Sequence, residues 1–358
     1  MFLNTLNSFK KSEELLLSFI IFHCVVKIEH IMIKENRILS LQDIEKFHYE
    51  GFLVLPNFID RESFITPLIQ EYSKVLHDLC QTLYKQNEIS GDYSNLSFNE
   101  RLIHLYQETG REFAQNFDFS LPSEVKSDTP FWVGPAVFNI LTNQKLLDAV
   151  ELLIGPEIFS NPVQHVRIKP PEQLLPKGAS DSALVGSTAW HQDNGVVTTE
   201  ADDTNMLTVW ISLSEATEEQ GCLMLIPGSH ETKLRTHCPN SRKGLLIPNK
   251  LLELDRMTPV PTNPGDVILM NKYTCHGSLP NESDTVRWSL DLRYNPVGQK
   301  TGRDELPGFV ARSRRQPDSE LNDPKKWSDL WHQTRAVMSK KTESIKRHRW
   351  DGTHAICA

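Results

Sequence analysis

Between residues 40 and 155 the apolar positions recur at intervals of three and four, the spacing of helices with one buried face. Ser40 and Asp43 form a capping arrangement ahead of Leu41, Ile44 and Phe47, and Gly51 supplies a stop, so a short helix feeds a strand at residues 52–55. A longer helix is predicted over residues 60–86, where Phe64, Leu68, Tyr72, Val75, Leu79 and Leu83 follow a 3.6 period and Pro67 sets the start of its regular part. Residues 99–117 and 143–154 read as two more helices, the second ended by Gly155-Pro156. From residue 163 the pattern changes to short β-rich runs at 163–169, 206–213, 222–226, 245–247, 266–271 and 286–294, punctuated by turn residues. That texture argues for a sandwich or barrel rather than a parallel sheet with crossover helices. After about Pro307 the chain turns polar and then helical, with Asp323-Pro324 as cap and first residue and Trp327, Leu330, Trp331 and Thr334 on one face.

The expected organisation is one domain over residues 32–310, with a β core at about 160–296, followed by a C-terminal helical arm at 311–358. Residues 1–31 stand apart. Leu15 to Val26 is an apolar run behind Lys10 and Lys11, similar to a short signal-peptide core, but shorter than the ~20 residues of a membrane span and without a small-x-small cleavage site after it. The alternative is that translation starts at Met32 and residues 1–31 are an extension.

Composition narrows the function classes. The 358 residues are 39% hydrophobic and 23% charged, ordinary globular proportions, and the net charge of -8 lacks the basic footprint of nucleic-acid binding. No nucleic-acid partner and no membrane span are expected, and the number of subunits is left open. Cys24, Cys80, Cys222, Cys238, Cys275 and Cys357 are scattered without a CxxC pair, which indicates neither a disulfide framework nor a zinc ribbon and favours a reducing, cytoplasmic location.

Two His and one carboxylate on one face, leaving open coordination positions, suit a non-heme Fe(II) oxygenase. Thirteen His and 46 Asp+Glu make about two His-x-Asp/Glu matches expected by chance, and two occur, His48/Glu50 and His191/Asp193. The first pair ends a predicted helix, where residues two apart diverge. The second lies in the β region, where residues two apart share a face and can reach one ion. His276, behind the apolar run 266–270, is the candidate third ligand. Eleven residues on, Arg287 opens an alternating strand, and Arg is the residue that reads a carboxylate bidentately.

From Ile44 to Tyr294 the sequence resembles the phytanoyl-CoA dioxygenase (PhyH-like) family of Fe(II)/2-oxoglutarate-dependent oxygenases. The resemblance rests on His191-Gln192-Asp193, His276 with Arg287 eleven residues later, Gly51-Phe52-Leu53-Val54-Leu55-Pro56 and Gly155-Pro156-Glu157. It also rests on Lys169-Pro170-Pro171 and the block from Trp210-Ile211-Ser212-Leu213 to Gly221-Cys222-Leu223-Met224-Leu225-Ile226-Pro227-Gly228-Ser229-His230. It implies a mainly β, double-stranded β-helix (jelly-roll, cupin-like) core with N-terminal helices packed on one sheet. It further implies that His191, Asp193 and His276 hold iron, that Arg287 pairs with the distal carboxylate of 2-oxoglutarate, and that Ser278 and Trp210 belong to the cosubstrate site. The family's second basic cosubstrate contact has no counterpart in the matching stretch 128–140, which contains no Lys or Arg. The implied reaction uses O2, with ascorbate as a stimulant, and hydroxylates an aliphatic carbon of a small organic molecule while releasing succinate and CO2. Asp193 favours hydroxylation, since halogenating relatives carry a small residue there.

Desaturation or epimerisation by the same oxidant, and a non-catalytic barrel that binds a ligand, are the alternatives. His165, His230 and His237 read as structural or substrate-side, Trp190 and Trp288 as packing beside the ligands, and residues 181–188 as a loop or lid. Gln192, Asn194, Gln164, Asn205 and Arg293 are candidates to touch the substrate, and Arg303, Arg312, Arg314 and Arg315 form a basic patch read chiefly as a solvated face.

Overall fold

The computed structural model describes residues 38–182, 184–241, 244–341 and 347–357. The extension at residues 1–31, with Cys24 and the alternative start at Met32, lies outside them. The chain divides into two compact units, Met1–Ile44 and Glu45–Ala358. Of the first, the described part is Ile38 to Ile44, where Ser40 and Asp43 cap each other reciprocally as helix α1 (Leu41–Glu50) begins. Everything below concerns the second unit. Among the described residues no helix is long and apolar enough to cross a membrane.

Asp60 caps a π-turn (Arg61–Ile65) that runs into α2 (Thr66–Lys85), whose buried stripe is Leu68, Tyr72, Leu76, Cys80 and Leu83. The single helix expected over residues 99–117 is two. Ser97 and Glu100 close a capping box on α3 (Phe98–Thr109), Gly110 ends it in the left-handed region at φ 64°, and α4 (Ala114–Phe117) follows. Pro135 opens a further helix, α5 (Pro135–Leu141), and Asn143 caps α6 (Gln144–Ile154). Helix α7 (Pro324–Met338) buries Trp327 and Trp331, while Leu330 faces outward.

The strands are β1 (Phe52–Leu55), β2 (Glu157–Lys169), β3 (Leu207–Ser212), β4 (Leu223–Leu225), β5 (Cys238–Asn240), β6 (Gly244–Leu246), β7 (Thr258–Val260), β8 (Val267–Asn271), β9 (His276–Ser278), β10 (Arg287–Pro296) and β11 (Phe309–Ser313). They make an antiparallel six-stranded sheet in the order β1-β8-β3-β10-β2-β11, a three-stranded sheet β7-β4-β9, and the hairpin β5-β6. Strand β2 starts six residues before the expected 163. Pro162 disguised it, and Pro162 is tolerated because the pairing with β10 slips between Asp291 and Arg293, where no ladder hydrogen bond is required of it. Strand β11 spans the expected 310/311 junction and closes the sheet edge against β2, so the six-stranded sheet reaches into the region expected to be a helical arm.

Alternation along β10 divides helix contacts from site. Trp288 packs on Tyr72 and Phe98, and Tyr294 donates to the Leu141 carbonyl, so these side chains hold α2, α3 and α5 to one face of the sheet. Arg287, Asp291 and Arg293 point the other way, into cavities.

One expectation is overturned outright: Cys238 in β5 and Cys357 form a disulfide. A single pair 119 residues apart carries no spacing signal, and only the fold brings the two together. The cytoplasmic location rested on the absence of such bonds, and this one removes that ground. Cys80, Cys222 and Cys275 are buried thiols. The basic patch also dissolves on inspection. Arg312 and Arg314 pair with Asp148 and Glu151 of α6, and Arg315 donates its backbone N–H to Glu157.

Candidate active site

His191 and His276 sit opposite each other in an isolated antiparallel bridge, joined by backbone hydrogen bonds of 2.9 and 3.0 Å in both directions. Their rings lie 4.2 Å apart between centroids. Each Nδ1 donates to a carbonyl two residues earlier, Ala189 at 2.9 Å and Thr274 at 3.0 Å, which fixes the tautomer and leaves both Nε2 lone pairs pointing inward. They lie 3.9 and 4.0 Å from the two oxygens of Asp193, which opens a short 3-10 turn (Asp193–Val196). All three ligand atoms fall within 4.8 Å of one another, and all three residues are buried.

Burial first, then the neighbouring His276, pushes the His191 imidazole down to about 3. Burial opposes ionisation of Asp193, but Arg293, His276 and His191 outweigh it and hold the carboxyl below the ordinary range. Two imidazoles and a carboxylate with inward-facing donor atoms are the donor set of a first-row divalent ion such as Fe(II), so the residues present fit the metal.

Beside the cluster lies a narrow cleft whose walls include Lys169, Thr188, Trp210, His276 and Arg287. Arg287 is 1% exposed, its Nη1 donates to Ser289 Oγ at 2.7 Å, and its Nε has no partner. It forms no ion pair among the described residues. Burial and then the charge of Arg167 push its guanidinium down to about 9. A buried guanidinium without an ion-pair partner suits an anionic ligand, and its carbon lies 5.8 Å from the centre of the Trp210 ring. Lys169 faces Arg287 in the β2–β10 register, and its Nζ donates to Thr188 Oγ1 at 2.9 Å and Ser278 Oγ at 3.1 Å. Ser278 also accepts the Thr188 backbone N–H, so it braces two lining residues from behind. Lys169 and Arg287 thus bring two cations to one cleft, whereas residues 128–140 contain no Lys or Arg.

Residues 47–289 match the profile of the phytanoyl-CoA dioxygenase (PhyH) family. The chain belongs to the phytanoyl-CoA dioxygenase family. It is a 2-oxoglutarate-dependent dioxygenase by class, with Fe(II) and 2-oxoglutarate as cofactor and cosubstrate. It is 32% identical over 135 residues to a methylphosphonate hydroxylase of Gimesia maris, an alignment covering 36% of this chain and 48% of that protein. With a phytanoyl-CoA dioxygenase domain-containing protein 1 of Danio rerio it shares 23% identity over 290 residues, 75% of this chain and 97% of the other. The solved structure of a non-heme monooxygenase, ThoJ in its apo form, superposes with a TM-score of 0.50 at 19% identity, covering 82% of this chain and 97% of that one.

In this phytanoyl-CoA dioxygenase family member a second, larger cavity of about 520 Å³ also has His191 in its wall. His165 lines it, with Nδ1 2.7 Å from Asp118 Oδ2, and Leu184 and Thr188 of the expected lid form part of its wall. Of the five substrate candidates only Arg293 reaches the cavity. Gln192 is sealed among the carbonyls of Lys233 and Tyr273 and the Arg235 N–H. Asn194 donates to Asp202, Gln164 is buried, and the Asn205 backbone donates to Gln299. His230 and His237 are structural: His230 Nε2 meets the His48 carbonyl, and His237 Nε2 accepts the Gln192 N–H. Trp190 packs near Ile226 and Ile247, as a structural residue should.

Sequence reasoning gave Lys169 no role although Lys169-Pro170-Pro171 stood out, and the usable signal was its parity with Arg167 on β2. It gave none to Arg347 either, which lines the large cavity from a segment distant in sequence.

Proposed function

We propose that this chain hydroxylates an aliphatic carbon of a small organic substrate, on a double-stranded β-helix whose two walls are the six- and three-stranded sheets. The observation that carries the reading is the buried His191/Asp193/His276 cluster sharing one cleft with Arg287, a buried guanidinium that lacks a carboxylate. His191, Asp193 and His276 hold the iron. Arg287 takes the distal carboxylate of 2-oxoglutarate, Lys169 adds the second cation, and Trp210 flanks the cosubstrate. Ser278 is a positioning residue that keeps Lys169 and Thr188 in place.

Bound iron and 2-oxoglutarate supply, with O2, an oxidant able to take hydrogen from an unactivated C–H bond, as 2-oxoglutarate becomes succinate and CO2. The protein's own work is orientation and exclusion of water. The Ala189 and Thr274 carbonyls keep both imidazoles aimed, while Thr208 and Arg293 donate to the two oxygens of Asp193 and keep it ionised. His191, Thr188 and Arg167 border both cavities, so cosubstrate in the narrow cleft and substrate in the larger cavity would meet at His191. The presence of a full carboxylate at Asp193 supports hydroxylation over halogenation.

The test is succinate release from 2-oxoglutarate by purified protein with Fe(II), ascorbate and O2, without added substrate, beside Asp193→Ala. Slow release in the wild type that vanishes in the variant is expected. No release from either, together with no Mn(II)-dependent binding of 2-oxoglutarate by calorimetry, overturns the reading in favour of a ligand-binding barrel.

A further inference from the structure

The large cavity is unevenly charged. Arg167, Arg293, Arg303 and Arg347 line it against one carboxylate, Asp118, whose oxygens already face His165 Nδ1 and the Val166 N–H. Arg167 and Arg293 are neutralised from behind by Asp291 and Asp193. Arg303 and Arg347 are not. Arg303 donates to the carbonyls of Val196, at 2.7 Å, and of Arg347. Arg347 donates to the Pro122 carbonyl, and its Nε is buried without a partner. Neither forms an ion pair among the described residues.

Carbonyls orient a guanidinium but do not neutralise it. Desolvation works against the two charges: burial, then Arg347 and Arg293, pushes Arg303 down to about 9, and burial pushes Arg347 down to about 10, with Glu305 opposing both shifts and Asp118 also opposing that of Arg347. Keeping two such groups around one space is unfavourable unless something anionic enters it. Leu121, Val163, Leu184 and Leu245 give the lining an apolar part, beside polar groups such as Gln115, His165 and Thr188. The volume lies in the range of small-molecule sites.

We infer that Arg303 and Arg347 form the head-group subsite for an anionic substrate, an oxyanion carried on an aliphatic body that lies along the leucines toward His191. This rests on the hydroxylase reading above and adds to it the class of molecule. The shared chemistry is a carboxylate or a phosphonate/phosphate group, and guanidinium forks accept either. Neutral substrates are disfavoured, because they would leave both half-buried guanidiniums without an ion-pair partner.

The test compares octanoate, octylphosphonate and 1-octanol as probes, by calorimetry on the full chain loaded with Mn(II) and 2-oxoglutarate. At least one anion is expected to bind tenfold or more tighter than the alcohol. Binding by both marks a general oxyanion site, and binding by octylphosphonate alone marks one selective for the doubly charged head. Arg303→Gln and Arg347→Gln should each weaken the preferred anion tenfold or more while leaving 1-octanol within twofold, and Arg347→Lys should restore part of the loss. Equal binding of anions and alcohol by the wild type, a comparison that needs no variant to fold, overturns the inference. So does an equal loss for all probes in folded variants. Failure of 2-oxoglutarate itself to bind with Mn(II) is a different result, which overturns the hydroxylase reading before any probe is added.

Discussion

Arg293 donates through Nη2 to Oδ1 of Asp193, the same oxygen that faces His191 Nε2. Thr208 donates to the other oxygen, so the one carboxylate of the metal cluster is oriented and charge-balanced before any ion arrives. Replacing Arg293 by Met leaves a fully buried charge uncompensated, an effect of about 3–5 kcal/mol on the metal-free protein. A divalent ion would replace the missing positive charge. The rise in melting temperature on adding Mn(II) should therefore be larger for Arg293→Met than for the wild type, and an equal or smaller rise would show that Arg293 acts on something other than Asp193.

Arg287, unlike Arg293, forms no ion pair among the described residues, and in the proposed function it takes the distal carboxylate of 2-oxoglutarate. Arg287→Gln removes a charge-assisted pair of about 1.5–3 kcal/mol, which corresponds to roughly a 10- to 150-fold increase in KM for 2-oxoglutarate. Ser289→Ala, which removes only the brace on Nη1, should raise it by a few-fold. Succinate release against 2-oxoglutarate concentration measures both, and an unchanged KM for Arg287→Gln would move the cosubstrate elsewhere.

His237 bears on acid stability. Its Nδ1 donates to the Arg235 carbonyl and its Nε2 accepts from Gln192, so a second proton would face an N–H donor. Burial pushes the ring down to about 4 from an ordinary 6.5. The folded protein then binds fewer protons than the unfolded chain between those values, and this contribution is complete above about pH 6.5 and lost as the pH falls toward 4. One proton limits the slope to about 1.4 kcal/mol per pH unit. Chemical denaturation of the metal-free protein at pH 6.5, 5.5 and 4.5 should show a shallower dependence for His237→Gln. Identical slopes would mean that the ring keeps its ordinary proton affinity in the folded protein.

Gly195 sits just past the metal carboxylate, and a Cβ there would come 2.2 Å from His237 Cε1. Gly195→Ala must displace either the ring or the turn that carries Asp193. Overpacking of this kind costs about 1–3 kcal/mol, and Mn(II) affinity should fall with it. Lower stability with unaltered Mn(II) affinity would place the whole strain on His237.

The parts of the site that share one short stretch of chain were legible in the sequence. His191 lies in an extended bridge and Arg287 opens an alternating strand, as their spacing predicts, while Asp193 reaches the cluster from the first residue of a 3-10 turn rather than from a shared strand face. Lys169, Arg303 and Arg347 were not legible as cavity residues. Each reaches its cavity through long-range pairing: β2 against β10 for Lys169, and carbonyl contacts to Val196 and Pro122 for the arginines. Strand β11 was hidden for a related reason, since an edge strand can carry arginines that a central one would not. The disulfide had no local signature at all.

Trp350 stacks on His237 and donates its indole N–H to the Gly195 carbonyl, 155 residues earlier in the chain. Arg303 and Arg347, which finish the large cavity, likewise follow every metal ligand in sequence. On the ribosome the donors are therefore made first and their cover later. At about 5–20 residues per second the stretch from His276, the last of the three donors, to Trp350 takes roughly 4–15 s. All three donor side chains are thus present in the chain before the residues that cover them.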